Sequence, residues 1–248
     1  MRIHYEESGA GHPMVLVHGW GVDSRRQWVD TGWVAALEGV RRVITMDCRG
    51  HGRSEKPRIQ SSYSYGAMAE DVIAVMDDLG LERADVFGYS LGAFMAVWLL
   101  GHHPERFTSV IMGGIGDETA ESAAAGPRIA AALRAEVPSE IGEPLGRAYR
   151  AFVDADPTSD REALALSALQ MWPEGHPLEV GGAGLSDVDV PVLIVDGEKD
   201  YPYILSVDRL VSAIPGARLV TVPDTDHLSI VAHPRFKEAV LDFLSERG

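Results

Sequence analysis

A single cysteine, Cys48, stands in a chain of 248 residues, so no intramolecular disulfide can form. It follows the apolar run RVITMD and reads as a buried thiol rather than a reactive one. No apolar stretch reaches the roughly 20 residues that a membrane-spanning helix needs. The opening MRIHYEESG lacks the apolar core of a signal peptide. The expected location is therefore the cytoplasm, with no membrane partner. Cations are scarce: 22 Lys and Arg stand against 37 Asp and Glu, a formal net charge of −15. Such a surface repels a phosphate backbone, which argues against nucleic acid, and the acidity reads as a source of solubility. HExxH, GxGxxG and G-K-[ST] are all missing, as is any Cys/His cluster at ligand spacing. No metal is expected.

What is present is alternation. Short runs rich in Val and Ile recur: MVLV (14–17), RVITMD (42–47), ADVF (84–87), TSVIM (108–112), VPVLIV (190–195) and ARLVTV (217–222). Apolar on both faces and bounded by Gly, Pro or Asp, they predict buried parallel strands. RIHYEES near the start reads as an exposed edge strand. Helical stripes fall between the runs, such as Met68, Val72, Ile73, Val75, Met76 and Leu79, with Gly80 as C-cap. Another stripe is Phe236, Val240, Phe243 and Leu244. The pattern predicts an α/β fold with helices on both faces of the sheet. The rhythm breaks over 116–187, where no strand is expected and helical pieces fall around 127–136, 140–154 and 159–172. We read 116–187 as a helical insertion on a core formed by 1–115 and 188–248. GGAG at 181–184 returns the chain to the sheet.

The stretch DVFGYSLGAF sets Ser90 between two glycines, with a strand before it and a helix after it. This fits G-x-S-x-G, a sharp turn that thrusts the serine above the sheet. The helix starting at Leu91 points its free N–H groups to the same spot. The plainer reading is a serine N-cap. A serine hydroxyl needs a base to become a nucleophile. Of nine histidines, His227 is best placed, in PDTDHLSI directly after the strand ARLVTV. His4, His12, His102, His103, His176 and His233 read as structural. The imidazole in turn needs an acid. VPVLIVDGEKDYPY offers Asp200, in the loop beyond the strand, and Asp196 at the strand end; Asp117 is a third candidate. Asp224 and Asp226 sit too near His227 in sequence to orient it easily.

VLVHGWG (15–21) ends a strand in a glycine-bearing loop. The Trp20 N–H is one candidate oxyanion donor and the Leu91 N–H the other, while His18 holds the loop. DCRGHGRS (47–54) reads as a hydrogen-bonded scaffold loop with Asp47 and Arg49 structural.

With these residues in order, HGWG, DCRGHGRS, GYSLGA, GEKD and the late His227, the chain resembles the α/β-hydrolase fold family in its cap-bearing branch. The resemblance spans nearly the whole length. It implies a doubly wound, mostly parallel, eight-stranded sheet, a helical cap over the site and no cofactor. It also implies a triad in the order Ser90, Asp200, His227. HGWG with GYSLGA looks somewhat like pimeloyl-ester carboxylesterases, and the overall shape also resembles enol-lactonases. There is a departure: the family usually has glycine before the histidine, and here Asp226 stands there, a carboxylate able to raise the pKa of the base or rival its partner. Ser90 stands where dehalogenases and epoxide hydrolases of this fold carry aspartate, which argues against those chemistries.

The expected function is a serine hydrolase of a small carboxylic ester, thioester or lactone. Trp20, Trp172 and Leu228 are candidates to line the acyl pocket, although such side chains are more often core. The alternatives are a C–C bond hydrolase on the same triad and a hydrolase-fold ligand-binding protein. Arg128, Arg134, Arg147, Arg150 and Arg161 in the insertion read as a solvated helix face rather than as anion ligands.

Overall fold

The computed structural model describes residues 1–116, 124–174, 176–200, 204 and 206–247. Its sheet has seven strands in the order β1-β3-β2-β4-β5-β6-β7. They are β1 (Tyr5–Gly9), β2 (Pro13–Val17), β3 (Arg42–Met46), β4 (Ala84–Tyr89), β5 (Phe107–Gly113), β6 (Val192–Gly197) and β7 (Arg218–Val222). Only β1 runs antiparallel, against β3; every other pairing is parallel.

Successive side chains of a strand face opposite ways, and here each face feeds its own core. Val15, Val17, Val86, Val110 and Ile194 join one apolar cluster, whereas Met14, Leu16, Phe87, Ile111 and Leu193 join the other. That is why the runs show no polar alternation. Helices α2 (Tyr65–Asp78) and α3 (Leu91–His102) cover the first face. Helices α1 (Trp33–Leu37) and α9 (Pro234–Ser245) cover the second, where Trp28, Trp33, Phe87 and Phe236 interlock edge to face. Between β5 and β6 lie α4 (Ala125–Arg134), α5 (Pro144–Asp154), α6 (Arg161–Glu174) and α7 (Pro177–Gly181); α8 (Asp208–Ala213) precedes β7.

Three details differ from expectation. Among the described residues the sheet has seven strands, where the resemblance implies eight. Residues before β1 are committed to the 47–55 loop instead: Asp47 N donates to the His4 carbonyl, His4 N to Ser54 Oγ, and Glu55 N to the Arg2 carbonyl. Second, β7 is an exposed edge and not a buried strand; of its residues only Val222 is buried, because nothing pairs with its outer side among the described residues. Third, GGAG is no simple return loop. Gly181 closes α7 and 182–187 forms a 3-10 turn. A Cβ on Gly101 of α3 would lie 1.9 Å from the Gly181 carbonyl oxygen, so these glycines serve a close backbone approach.

One buried ion pair ties the sheet to α9. Arg41 Nε donates to Asp85 Oδ2 at 2.9 Å, and Asp85 Oδ1 accepts from Thr108 and Ser109, each at 2.7 Å. Arg41 also reaches the Leu244 carbonyl at 3.3 Å. Truncating one partner strands a buried charge, at a cost of about 3–5 kcal/mol. Asp85→Ala is expected to lower stability by that order, read as the midpoint of urea unfolding. A loss below about 1 kcal/mol would count against this account of the pair.

Candidate active site

Ser90 sits in the turn between β4 and α3 with φ +50° and ψ −111°. Apart from glycines, only Ser90 and Asp224 have positive φ among the described residues. The turn is forced by contact. A Cβ on Gly88 would fall 2.1 Å from the Gly92 oxygen, and a Cβ on Gly92 would fall 2.0 Å from the Val17 oxygen. Glycine at both places lets α3 start hard against β2. The Ser90 N–H donates to the Gly113 carbonyl at 2.9 Å. The side chain makes no capping bond to α3, so the N-cap reading fails. Instead Ser90 Oγ lies 3.1 Å from His227 Nε2.

His227 Nδ1 lies 2.9 Å from Asp200 Oδ1, and Asp200 is 2% exposed. The loops after β6 and β7 meet to make this possible. Lys199 N donates to the Thr225 carbonyl at 2.8 Å, and a Cβ on Gly197 would lie 2.5 Å from that same oxygen. The other carboxylates go elsewhere. Asp196 pairs in register with Thr221, and burial raises its pKa above the usual carboxylate value. Asp224 pairs with Lys199 at 2.6 Å. Asp117 lies outside the described residues. Asp226, the departure from the family pattern, is engaged by the backbone and side chain that follow His227. Its Oδ1 accepts from Leu228 N, Ser229 N and Ser229 Oγ at 3.1, 2.8 and 2.8 Å. Those donors, led by the Ser229 N–H, hold its carboxyl below the ordinary range. Asp226 thus braces the backbone leading into the 3-10 turn 229–232, while His227 Nδ1 is bonded to Asp200.

The HGWG loop lies against the serine: a Cβ on Gly19 would be 3.5 Å from Ser90 Cβ. Leu91 opens α3, so its N–H has no acceptor within the helix. Two buried histidines hold the loop. Cys48 N donates to His18 Nε2 at 2.9 Å, which leaves the His18 Nδ1–H to donate to the Gly19 carbonyl at 2.7 Å. Gly21 N donates to His51 Nε2 at 3.0 Å, and the His51 Nδ1–H donates to the Arg49 carbonyl at 3.0 Å. Both rings are thus neutral. Burial lowers both pKa values, that of His51 to about 3. Nothing in the spacing singles out His51, because its partner lies in another loop. Asp47 receives Ser24 N and Oγ, and Arg49 grips Asp71 through two bonds of 2.7 Å, so both are structural.

Trp20 and Trp172 come together with Tyr149, at centroid distances of 5.6 and 5.5 Å from the Trp20 ring. The Trp20 indole N–H donates to Ser167 Oγ of α6 at 2.7 Å. Leu228 follows His227 and is 61% exposed. The arginines of the helices between β5 and β6 are engaged. Arg128 pairs with Glu143, Arg134 with Glu162, and Arg150 and Arg161 with Asp154, while Arg147 donates to the Ile141 carbonyl. Among the described residues no group of three His, Cys, Asp or Glu side chains is arranged to hold a metal ion. None of the described helices is long and apolar enough to cross a membrane.

A sequence profile described as alpha/beta hydrolase fold matches residues 12–128. The chain is 28% identical to a 2-hydroxymuconate semialdehyde hydrolase of Pseudomonas putida, over 99% of this chain and 91% of that one. A solved hydrolase from Pseudomonas aeruginosa PA01 superposes with a TM-score of 0.79 at 30% identity, covering 98% of this chain and 94% of the other. The enol-lactonase from Burkholderia xenovorans LB400 gives 0.80 at 27% identity, covering 98% and 96%.

The neutral His51 makes a pH prediction. Its pKa falls from 6.5 in the open chain to about 3 in the fold, so the unfolded state binds the proton more tightly. The associated stability is complete above the unfolded pKa and erodes as pH falls toward the folded one. Between about pH 7.5 and about pH 5 the loss is roughly 2 kcal/mol from this group. His51→Gln, which keeps an acceptor for Gly21 N–H, is expected to flatten that part of the thermal-midpoint curve. An unchanged slope would rule out His51 as its source.

Proposed function

The chain belongs to the α/β-hydrolase fold family, and on that premise we propose that it is a serine hydrolase of small carboxylic esters, thioesters or lactones. The observation that carries this reading is the continuous hydrogen-bonded chain Ser90–His227–Asp200, with the serine on a strained turn at a helix start. In the proposed reaction His227 Nε2 takes the Ser90 proton as Oγ bonds to the substrate carbonyl carbon. The carbonyl π pair moves onto oxygen, which the Trp20 and Leu91 N–H groups receive. The intermediate collapses, the bond to the leaving oxygen or sulfur breaks, and that atom takes the proton from His227. Water then gives a proton to His227 and attacks the acyl carbon. Release of the acid returns the proton to Ser90. Asp200 stays ionised throughout and holds the imidazole by its Nδ1–H.

Residues 116–187 are proposed to form the cap over this site, with the core contributed by 1–115 and 188–248. Trp20, Trp172 and Leu228 are proposed as acyl contacts. The likeness to the Pseudomonas putida hydrolase supports a second reading, cleavage of a C–C bond on the same residues. That relative's substrate is named as a carboxylate. Two features here favour an uncharged substrate: the insertion's five arginines are already engaged, and the chain carries a net −15.

Wild type is expected to react with a fluorophosphonate probe and to hydrolyse p-nitrophenyl esters, and Ser90→Ala to do neither. Between p-nitrophenyl butyrate and the mono-p-nitrophenyl ester of succinic acid, kcat/KM is expected to favour the neutral ester by about 10-fold or more. Equal or better use of the anionic ester would favour the carboxylate-handling reading. Labelling without any ester turnover would move C–C substrates to the front.

A further inference from the structure

We propose that Tyr89 is a positioning residue for His227, tying the backbone of the base to the turn that carries the nucleophile. The inference rests on the serine-hydrolase reading and adds a residue to it. Tyr89 is the first variable position of G-x-S-x-G, and its spacing assigns it no task. In the fold its hydroxyl donates to the His227 carbonyl at 2.5 Å, across 138 residues of chain. Its ring lies 5.4 Å from the His227 ring, centroid to centroid, and the side chain is almost wholly buried.

The opposite wall is Gly114, at φ +61°. A Cβ there would lie 2.7 Å from Tyr89 Cζ and 3.0 Å from His227 Cε1. Glycine at this place lets tyrosine and histidine share one narrow slot. Burial, with the charges of Asp200 and Asp226, pushes the phenol pKa well above its ordinary value. The hydroxyl therefore stays a donor, which is the only role a carbonyl partner allows.

The geometry couples two distances. Tyr89 is joined to Ser90 by a single peptide bond, and its hydroxyl is joined to the main chain of His227. The separation between Ser90 Oγ and His227 Nε2, 3.1 Å, is thus spanned by one stiff aromatic side chain. A role in core packing alone needs only the ring, which also meets Phe236. The hydroxyl is what separates the two roles.

The test is Tyr89→Phe, beside wild type and Ser90→Ala. It reads kcat and KM on a p-nitrophenyl ester, the pH profile of kcat/KM, and the titration of His227 by NMR with ¹⁵N-labelled histidine. The phenylalanine variant is expected to keep KM within about 2-fold and to lose about 10-fold in kcat, as a small misplacement of a catalytic group does. Loosening the base from Asp200 withdraws support from the imidazolium, so the acid limb and the His227 titration are expected to move to lower pH. Unchanged kcat and an unchanged His227 titration overturn the proposal while leaving the serine-hydrolase reading intact. A wild type that neither labels nor turns over fells that reading instead, and the His227 titration in Tyr89→Phe still decides whether the tether exists. If Tyr89→Phe does not fold, Gly114→Ala keeps the hydroxyl but crowds both rings. It is then expected to lower kcat and shift the same titration, and no change in either overturns the proposal.

Discussion

The strained backbone of Ser90 survives because its neighbours leave it no alternative. Positive φ on a residue with a Cβ costs about 1–3 kcal/mol and persists only where the surroundings over-determine it. Here β4 and α3 are locked on both sides of the turn, since Gly88 and Gly92 bring backbone to within reach of Gly92 and Val17 carbonyls. Relaxing Ser90 would mean pulling α3 off β2. The rest of the site is arranged around that one fixed point.

Three loops converge on it from the carboxyl ends of the parallel strands. The loop after β2 is pinned by His18 and His51, whose burial keeps them neutral and so able to accept backbone N–H groups. The loop after β6 carries Asp200 and is clipped to the loop after β7 through Lys199 N and the Thr225 carbonyl. The loop after β7 carries His227 and closes on itself through Asp226 and Ser229. Each uses short polar contacts, because loop backbone that is buried must find partners.

The helices between β5 and β6 are attached by different forces. Exposed pairs such as Arg58–Asp160 and Arg134–Glu162 contribute little, about 0–1 kcal/mol each. The firmer bond is apolar: Ile129, Leu133, Val153, Leu164 and Met171 are buried in the same cluster as Val15 and Val86 of the sheet. The Trp20 indole, bonded to Ser167 within that cluster, links α6 to the loop beside the serine.

The sequence by itself determined the strand runs, the two-sided burial of all of them but the last, the turn at Ser90 and the helical stretch after β5. These are local matters: periodicity of two or of 3.6, and the glycines a tight turn demands. It also pointed to His227 and offered Asp200 among the candidate acids, because a residue just past a strand end can only stand at one rim of the sheet. Only the tertiary structure decided which carboxylate meets the imidazole, that Asp226 turns to its own backbone, and that β7 is a bare edge. The sites of His51 and Tyr89 belong to the same class. Each acts through a hydrogen bond to a segment distant in sequence, 30 residues away for His51 and 138 for Tyr89. Such a contact leaves no periodic trace, because it depends on how two loops are brought together and not on the residues either side of them.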